Sequence, residues 1–245
     1  MVPKIMISLP TAEMARQAVF YDYLRALRTP SDAQVFMLAS HGQSPARNRN
    51  IAIHQALMQD CTHLLFIDDD LKLPFDLLLK LLEHDKDMVG GHYLMRNYPH
   101  QPIAFSRENE LGHCQHFYPA AGQTGLVEVT STGLGCILIK TDVFRAMQED
   151  CEPVTISSES KEVMCYDWIR LGELTRDHWC DDIGFYRRAR AKGFKLFIDL
   201  DIEVGHMVTM TVWPKYEDGV HHIVYDSDGR GAVKMPQAGQ NAETN

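Results

Sequence analysis

No stretch of the 245-residue chain approaches the ~20 consecutive apolar residues of a membrane-spanning helix. The most apolar helical segment, LPFDLLLKLL, already carries Asp76 and Lys80. A basic excess is also missing. Lys and Arg number 24 against 33 Asp and Glu, a formal charge of −9. That argues against tight, extended binding to nucleic acid, because phosphate contacts need cations. The six cysteines (61, 114, 136, 151, 165 and 180) form no Cys-x-x-Cys pair. The opening MVPKIMISLP lacks the apolar core and cleavage site of a secretory leader. Reduced thiols and a cytoplasmic location are therefore expected. A hydrophobic share of 45% and a charged share of 23% exclude collagen-like, coiled-coil and wholly disordered chains.

What is present is an alternation of short apolar runs with helical periodicities. KIMISL ends at Pro10, and a helical pattern follows over 12–28 with Ala15, Val19, Tyr23, Ala26 and Leu27 on one side. AQVFMLA (33–39) is a second strand, 47–58 a second helix and THLLFI (62–67) a third strand, too short for a helix. A helix over 74–84 opens with a proline, and KDMVGGHY (86–93) makes a fourth strand. This order predicts an α/β fold with a doubly wound, mostly parallel central sheet flanked by helices. Further strands are expected at 101–106, 126–131, 136–140 and 195–200, with helices at 141–150 and 181–192, the last ended by Gly193. Residues 151–178 read as an irregular mobile loop. The absence of a linker or repeat gives one domain, 1–225, followed by a flexible tail, 226–245.

The chemistry starts at Asp68-Asp69-Asp70, directly after the third strand. Ligands bind at that edge of an open parallel sheet. Three packed carboxylates repel, and a divalent cation such as Mg²⁺ or Mn²⁺ offsets them most directly. Alternation along an extended chain lets Asp68 and Asp70 converge while Asp69 points elsewhere. A solvated acidic turn that caps the next helix is the plainer alternative. Asp181-Asp182 open a helix; one of them suffices as a cap, which leaves the other to act as a base. Gly133 and Gly135 permit close backbone approach, or merely a bulge. His206 follows a strand beside Gly205, and an imidazole suits Mn²⁺ better than Mg²⁺. Taken alone, each of these glycine and histidine features is more often structural than functional. Trp168 and Trp179 are candidates to stack on a sugar, or core residues. His113, Cys114 and His116 lack the second paired motif of a zinc site.

The joint order IMISLPT, ARNRNIAIHQAL, THLLFIDDDLKLP, DMVGGHYLMRN, TSTGLGCILIKTDVF, DDIGFYRRARAKGF and IEVGHM resembles the nucleotide-sugar glycosyltransferases of the A-type (GT-A, Rossmann-like) fold. The likeness is greatest to family 2-like members, and among these to compact ones encoded by phages and other viruses, and it spans roughly residues 4–207. By this resemblance Asp68 and Asp70 are the Asp-x-Asp pair that holds the metal on the donor diphosphate, and His206 is the third metal ligand. Asp69 would face the donor ribose or sugar. Pro10 and Thr11 would lie near the nucleotide base, and Arg47 and Arg96 would contact nucleotide, phosphate or sugar. Asp182 would be the catalytic base, with Asp181 the alternative because the pair here is Asp-Asp rather than the family's usual Glu-Asp. The resemblance leaves inversion or retention at the sugar open.

The implied activity is sugar transfer from a nucleoside diphosphate donor, with uridine diphosphate favoured, to an acceptor hydroxyl. Saccharides, lipids, proteins and hydroxylated or hydroxymethylated DNA bases are the candidate acceptors. A basic track of Arg47, Arg49, Arg187, Arg188 and Arg190 would serve DNA. Two other readings keep the fold. A sugar nucleotidyltransferase would want a glycine in the loop after the first strand, and ISLPTAEMARQ has none. A non-catalytic module would use the carboxylates only to hold metal.

Overall fold

The computed structural model describes residues 2–11, 18–41, 43–97, 99–108, 114–157, 162–170, 174–175, 178–179, 181–208, 210–217, 220–227 and 232–235. In chain order, β1 (Lys4–Pro10), α1 (Ala18–Ala26), β2 (Gln34–Ser40), α2 (Pro45–Met58) and β3 (His63–Ile67) make up the first alternation. A two-residue strand β4 (Leu71–Lys72), α3 (Leu77–Glu83) and β5 (Met88–His92) come next. Then follow β6 (Ala104–Glu108), β7 (Cys114–His116), β8 (Leu126–Val129), β9 (Ser131–Thr132), β10 (Cys136–Lys140) and α4 (Thr141–Met147). The remainder is β11 (Pro153–Ser157), β12 (Glu162–Tyr166), β13 (Leu174–Thr175), β14 (His178–Trp179), α5 (Asp181–Ala191), β15 (Leu196–Glu203), β16 (Gly205–His206), β17 (Met210–Glu217), β18 (Val220–Ser227) and β19 (Ala232–Met235).

The central sheet has the order β2-β1-β3-β10-β5-β15-β8. Its inner strands are apolar on both faces because helices cover both. Met6, Leu64, Phe66, Ile137 and Ile139 point into one layer, with α2, α4 and α5. Ile5, Ile7, Leu65, Ile67 and Leu138 point into the other, with α1 and α3. Each such side chain, fully buried, contributes roughly 1.5–3 kcal/mol. This matches the expected α/β class. β2, β1, β3, β5 and β15 share one direction.

The sheet is mostly, not wholly, parallel, as expected. β10 inserts antiparallel between β3 and β5, and β8 closes the far edge antiparallel to β15. Gly133 to Gly135 are all that separate β9 from β10. β10 starts opposite Ile67, where β3 ends, and runs back along it. The segment 151–178 is also more regular than expected, since β11 and β12 form an antiparallel hairpin. β17, β18 and β19 form an antiparallel sheet that the sequence reading did not anticipate. β18 runs through the expected tail boundary at 225. Residues 12–17 of the helix expected over 12–28, and residues 228–231 and 236–245 of the tail, lie outside the described residues.

Candidate functional site

A cleft of about 270 Å³ opens at the edge where β1 and β3 end. Pro10 and Thr11 line it from the end of β1, and all three aspartates line it from the turn after β3. The N-terminal part of α2 contributes Asn48 and Arg49, while Arg96 and His206 line the side beyond β5. The phase of α2 is set by its first turn. The Ser44 hydroxyl caps it by accepting from the Arg47 amide at 3.4 Å, with Pro45 following. That phase turns Asn48 and Arg49 inward and leaves Arg47 exposed. Asn48 Nδ2 then donates to the carbonyls of Thr11 and Gln43, at 3.4 and 3.3 Å, tying the ends of β1 and β2 to the helix.

His206 reaches the cleft because β16 pairs antiparallel with β4, directly after the aspartates. Its Nδ1 lies 2.8 Å from the Leu94 carbonyl, which can only accept, so Nδ1 carries a proton. Nε2 faces Asp70 Oδ2 at 3.2 Å. Without a second proton, Nε2 offers its lone pair in the cleft. Burial alone would lower the His206 pKa, but the bonds to Asp70 and Leu94 outweigh it and raise the pKa above 6.5. Burial works to raise Asp70; His206 and Arg96, the latter 3.3 Å away, prevail and lower it.

Asp68 is differently engaged. Its Oδ1 accepts from Arg49 Nη2 at 2.7 Å, and its amide donates to the Gly135 carbonyl at 2.8 Å. A Cβ at Gly135 would sit 2.6 Å from Asp68 Oδ2 and 3.1 Å from the Tyr93 hydroxyl, so any side chain there must displace the carboxylate. Arg49 also reaches Asp182, with Nη1 3.4 Å from Oδ1. The other oxygen of Asp182 accepts from the Leu134 amide at 3.0 Å. Burial, more than any neighbour, raises the Asp182 pKa; Arg49 and the Leu134 amide pull it down without cancelling the rise. Burial works against the charge on Arg49 as well, but Asp68 and Asp182 together hold its guanidinium more firmly protonated than in water.

The structure thus gathers Pro10, Thr11, Asp68, Asp69, Asp70, Arg96 and His206 around one cleft, with Asp182 joined to it through Arg49. Asp181 starts α5 beside Asp182. Arg47 is not at this cleft; it lines a groove against Ile156 and Ile169 on another side of α2. The residue that occupies the centre is Arg49, and Ser44-Pro45 was the signal that sets its phase. Arg49 is 6% exposed and so does not belong to a surface track for DNA. Trp168 is a core residue, 1% exposed, with its indole N–H donating to the Phe144 carbonyl at 3.0 Å. The side chain of Trp179 and all of His113 lie outside what is described. His116 Nδ1 is engaged by the Pro102 carbonyl at 2.7 Å. Among the described residues no three His, Cys, Asp or Glu side chains are grouped as a metal site. Asp70 and His206 do form a mixed oxygen and nitrogen pair suited to Mn²⁺ or Mg²⁺ with few protein ligands. No disulfide joins the described cysteines, and no described helix is long and apolar enough to cross a membrane.

The class of the molecule is set by its architecture: a GT-A-like α/β fold, with a large, mostly parallel sheet between helices and small accessory sheets. The chain matches the crystal structure of GalNAc-T7 with UDP, GalNAc and Mn²⁺ at a TM-score of 0.53 and 9% identity, over 89% of this chain and 45% of that one. The crystal structure of A197 from STIV is covered over 95% of its length by 96% of this chain, at 15% identity and a TM-score of 0.47. For S. aureus TarS the values are 37% of that chain and 84% of this one, at 12% identity and 0.44. No family model and no curated protein sequence matches the chain.

Proposed function

We propose that the protein is a divalent-metal-dependent glycosyltransferase that moves a sugar from a nucleoside diphosphate sugar, uridine-linked in our reading, to an acceptor hydroxyl. The observation that carries this reading is the meeting of Asp70 and His206 in a cleft at the strand ends of a GT-A-like sheet. Tying Nδ1 to a backbone carbonyl is the usual way a protein orients a metal-binding imidazole. Mn²⁺ or Mg²⁺ held there would offset charge on the departing diphosphate. Asp68 completes the proposed Asp-x-Asp pair; its Oδ1 accepts from Arg49 Nη2 at 2.7 Å, which holds the carboxylate at the cleft.

The chain's own groups account for the rest. Pro10, Thr11 and Asn48 shape the nucleotide end of the cleft, and Asp69 lines its floor. The exposed Arg96, which reaches Asp70, is free to swing toward the donor phosphates or sugar. Asp182 accepts the acceptor proton. A bond forms from the acceptor oxygen to the anomeric carbon as the bond to the diphosphate breaks, and the proton passes to the carboxylate. A raised pKa makes Asp182 a stronger base than an aspartate in water. A DNA acceptor has less support than a saccharide, lipid or protein one, because Arg49 is withdrawn from the surface.

The decisive experiment is a thermal-shift and calorimetric screen of nucleoside diphosphates and nucleotide sugars, with and without Mn²⁺. A ligand that binds only the folded state raises the melting temperature. Stabilisation by one nucleotide sugar that requires Mn²⁺, and is lost in Asp70→Ala and His206→Ala, is the expected result. No metal-dependent binding of any of them would overturn the proposal.

A further inference from the structure

We infer that Arg49 is a positioning residue that couples the donor cleft to Asp182 and keeps that carboxylate ionised. This rests on the assignment of Asp182 as the base. A single guanidinium, 6% exposed, spans two carboxylates supplied by distant parts of the chain. Nη2 lies 2.7 Å from Asp68 and Nη1 lies 3.4 Å from Asp182. The planar guanidinium presents a separate donor to each carboxylate in a fixed fork, where an ammonium would share one point charge between them. The third donor, Nε, is buried with no hydrogen-bond partner.

Charge accounting gives the same role. The groups that face Asp182 are Arg49 from α2, Asp68 after β3, Tyr93 after β5, the Leu134 amide before β10 and Asp181 on its own helix. Among the described residues, Arg49 is the one cation in this set. Burial, Asp68 and Asp181 all favour the protonated acid, and only Arg49 and the Leu134 amide favour the carboxylate. A protonated Asp182 cannot take a proton from an acceptor. Removing Arg49 leaves one amide to resist burial and two like charges. The same guanidinium senses the donor cleft through Asp68, so anything that draws Asp68 toward a bound donor redistributes Arg49 toward Asp182.

The test is a carbon-13 NMR titration of the aspartate carboxyls in the full chain, with Asp182→Asn to assign the signal, alongside the pH profile of turnover. In Arg49→Met the Asp182 midpoint should rise by about one pH unit or more, as expected for loss of an adjacent opposite charge. The acid limb of turnover should move with it. Arg49→Lys should give a smaller upward shift with reduced turnover. An Asp182 midpoint unchanged in both variants would overturn the inference. If Arg49→Met does not fold, Arg49→Lys decides alone, and an unchanged midpoint and acid limb count against the coupling. The NMR arm uses no donor. A chain that shows the shift but binds no nucleotide sugar would sink the proposed activity and leave the role of Arg49 standing.

Discussion

His206 and Asp70, 136 residues apart in sequence, meet with Nε2 3.2 Å from Oδ2. Their contact depends on two hydrogen-bonded segments of two residues each, β4 and β16, which seat the imidazole against the acidic turn. The Met207 amide adds a bond to the Asp70 carbonyl at 2.7 Å.

Replacing either partner should therefore damage binding far more than folding. We expect Asp70→Ala and His206→Ala to weaken Mn²⁺-dependent binding of uridine diphosphate by at least about tenfold. Both side chains keep some exposure, so the pair should contribute no more than about 1 kcal/mol to stability. Calorimetry with and without metal, and urea unfolding of the same samples, separate the two effects. A large loss of stability with intact binding would refute this assignment.

Asp182→Asn should stabilise the protein while it removes activity. The folded state holds the Asp182 proton more tightly than the unfolded chain, so ionisation costs stability as pH rises from 3.8 through the raised folded value. Above that window the cost is fully present, and a neutral isostere escapes it. The melting temperature of Asp182→Asn should exceed that of the native protein near pH 7–8, by roughly 2–4 °C per kcal/mol. The advantage should fade at the acid end. Scanning calorimetry across pH tests this, and a variant less stable at pH 8 would contradict it.

Two glycines should respond differently to alanine. At Gly90 a Cβ would lie 2.7 Å from the Cys136 carbonyl oxygen, in the middle of the sheet, where backbone cannot yield. A stability loss of about 1–3 kcal/mol or more is expected, with nucleotide affinity retained in the folded fraction. At Gly135 the obstacle is the Asp68 carboxylate. That substitution should disturb the Asp68 to Arg49 ion pair and reduce donor affinity. Equal effects of the two on affinity would argue against a role for Gly135 in the cleft.

Trp168→Phe should cost about 1–3 kcal/mol by leaving the buried Phe144 carbonyl without its donor. Nucleotide-sugar binding should be unchanged. A loss of sugar affinity with normal stability would restore the stacking role that burial argues against.

Much of the architecture was legible because the core strands are short apolar runs between turn residues. KIMISL, THLLFI and CILIK need no long-range information to be read as strands. Their partners do. Nothing within CILIK tells that it runs against β3, since its pairing is with strands distant in the chain. The hairpin of β11 and β12 was obscured by the polar residues between and around the strands, such as the exposed Thr155, although VMCY (163–166) is an apolar run. At the site, the aspartate triplet and Gly205-His206 stand out by position at strand ends. Arg47 and Arg49 look alike in sequence, and only the helix phase counted from Ser44 separates the exposed one from the buried one.

The reversed strand β10 also bears on how the protein is made. During synthesis β2, β1 and β3 can assemble as soon as residue 67 has emerged, but the far side of β3 stays uncovered until residues 136–140 arrive. An uncovered strand of this composition invites pairing with other chains. The nascent chain thus passes through a vulnerable interval about seventy residues long, and chains that stop short of β10 would be prone to clump.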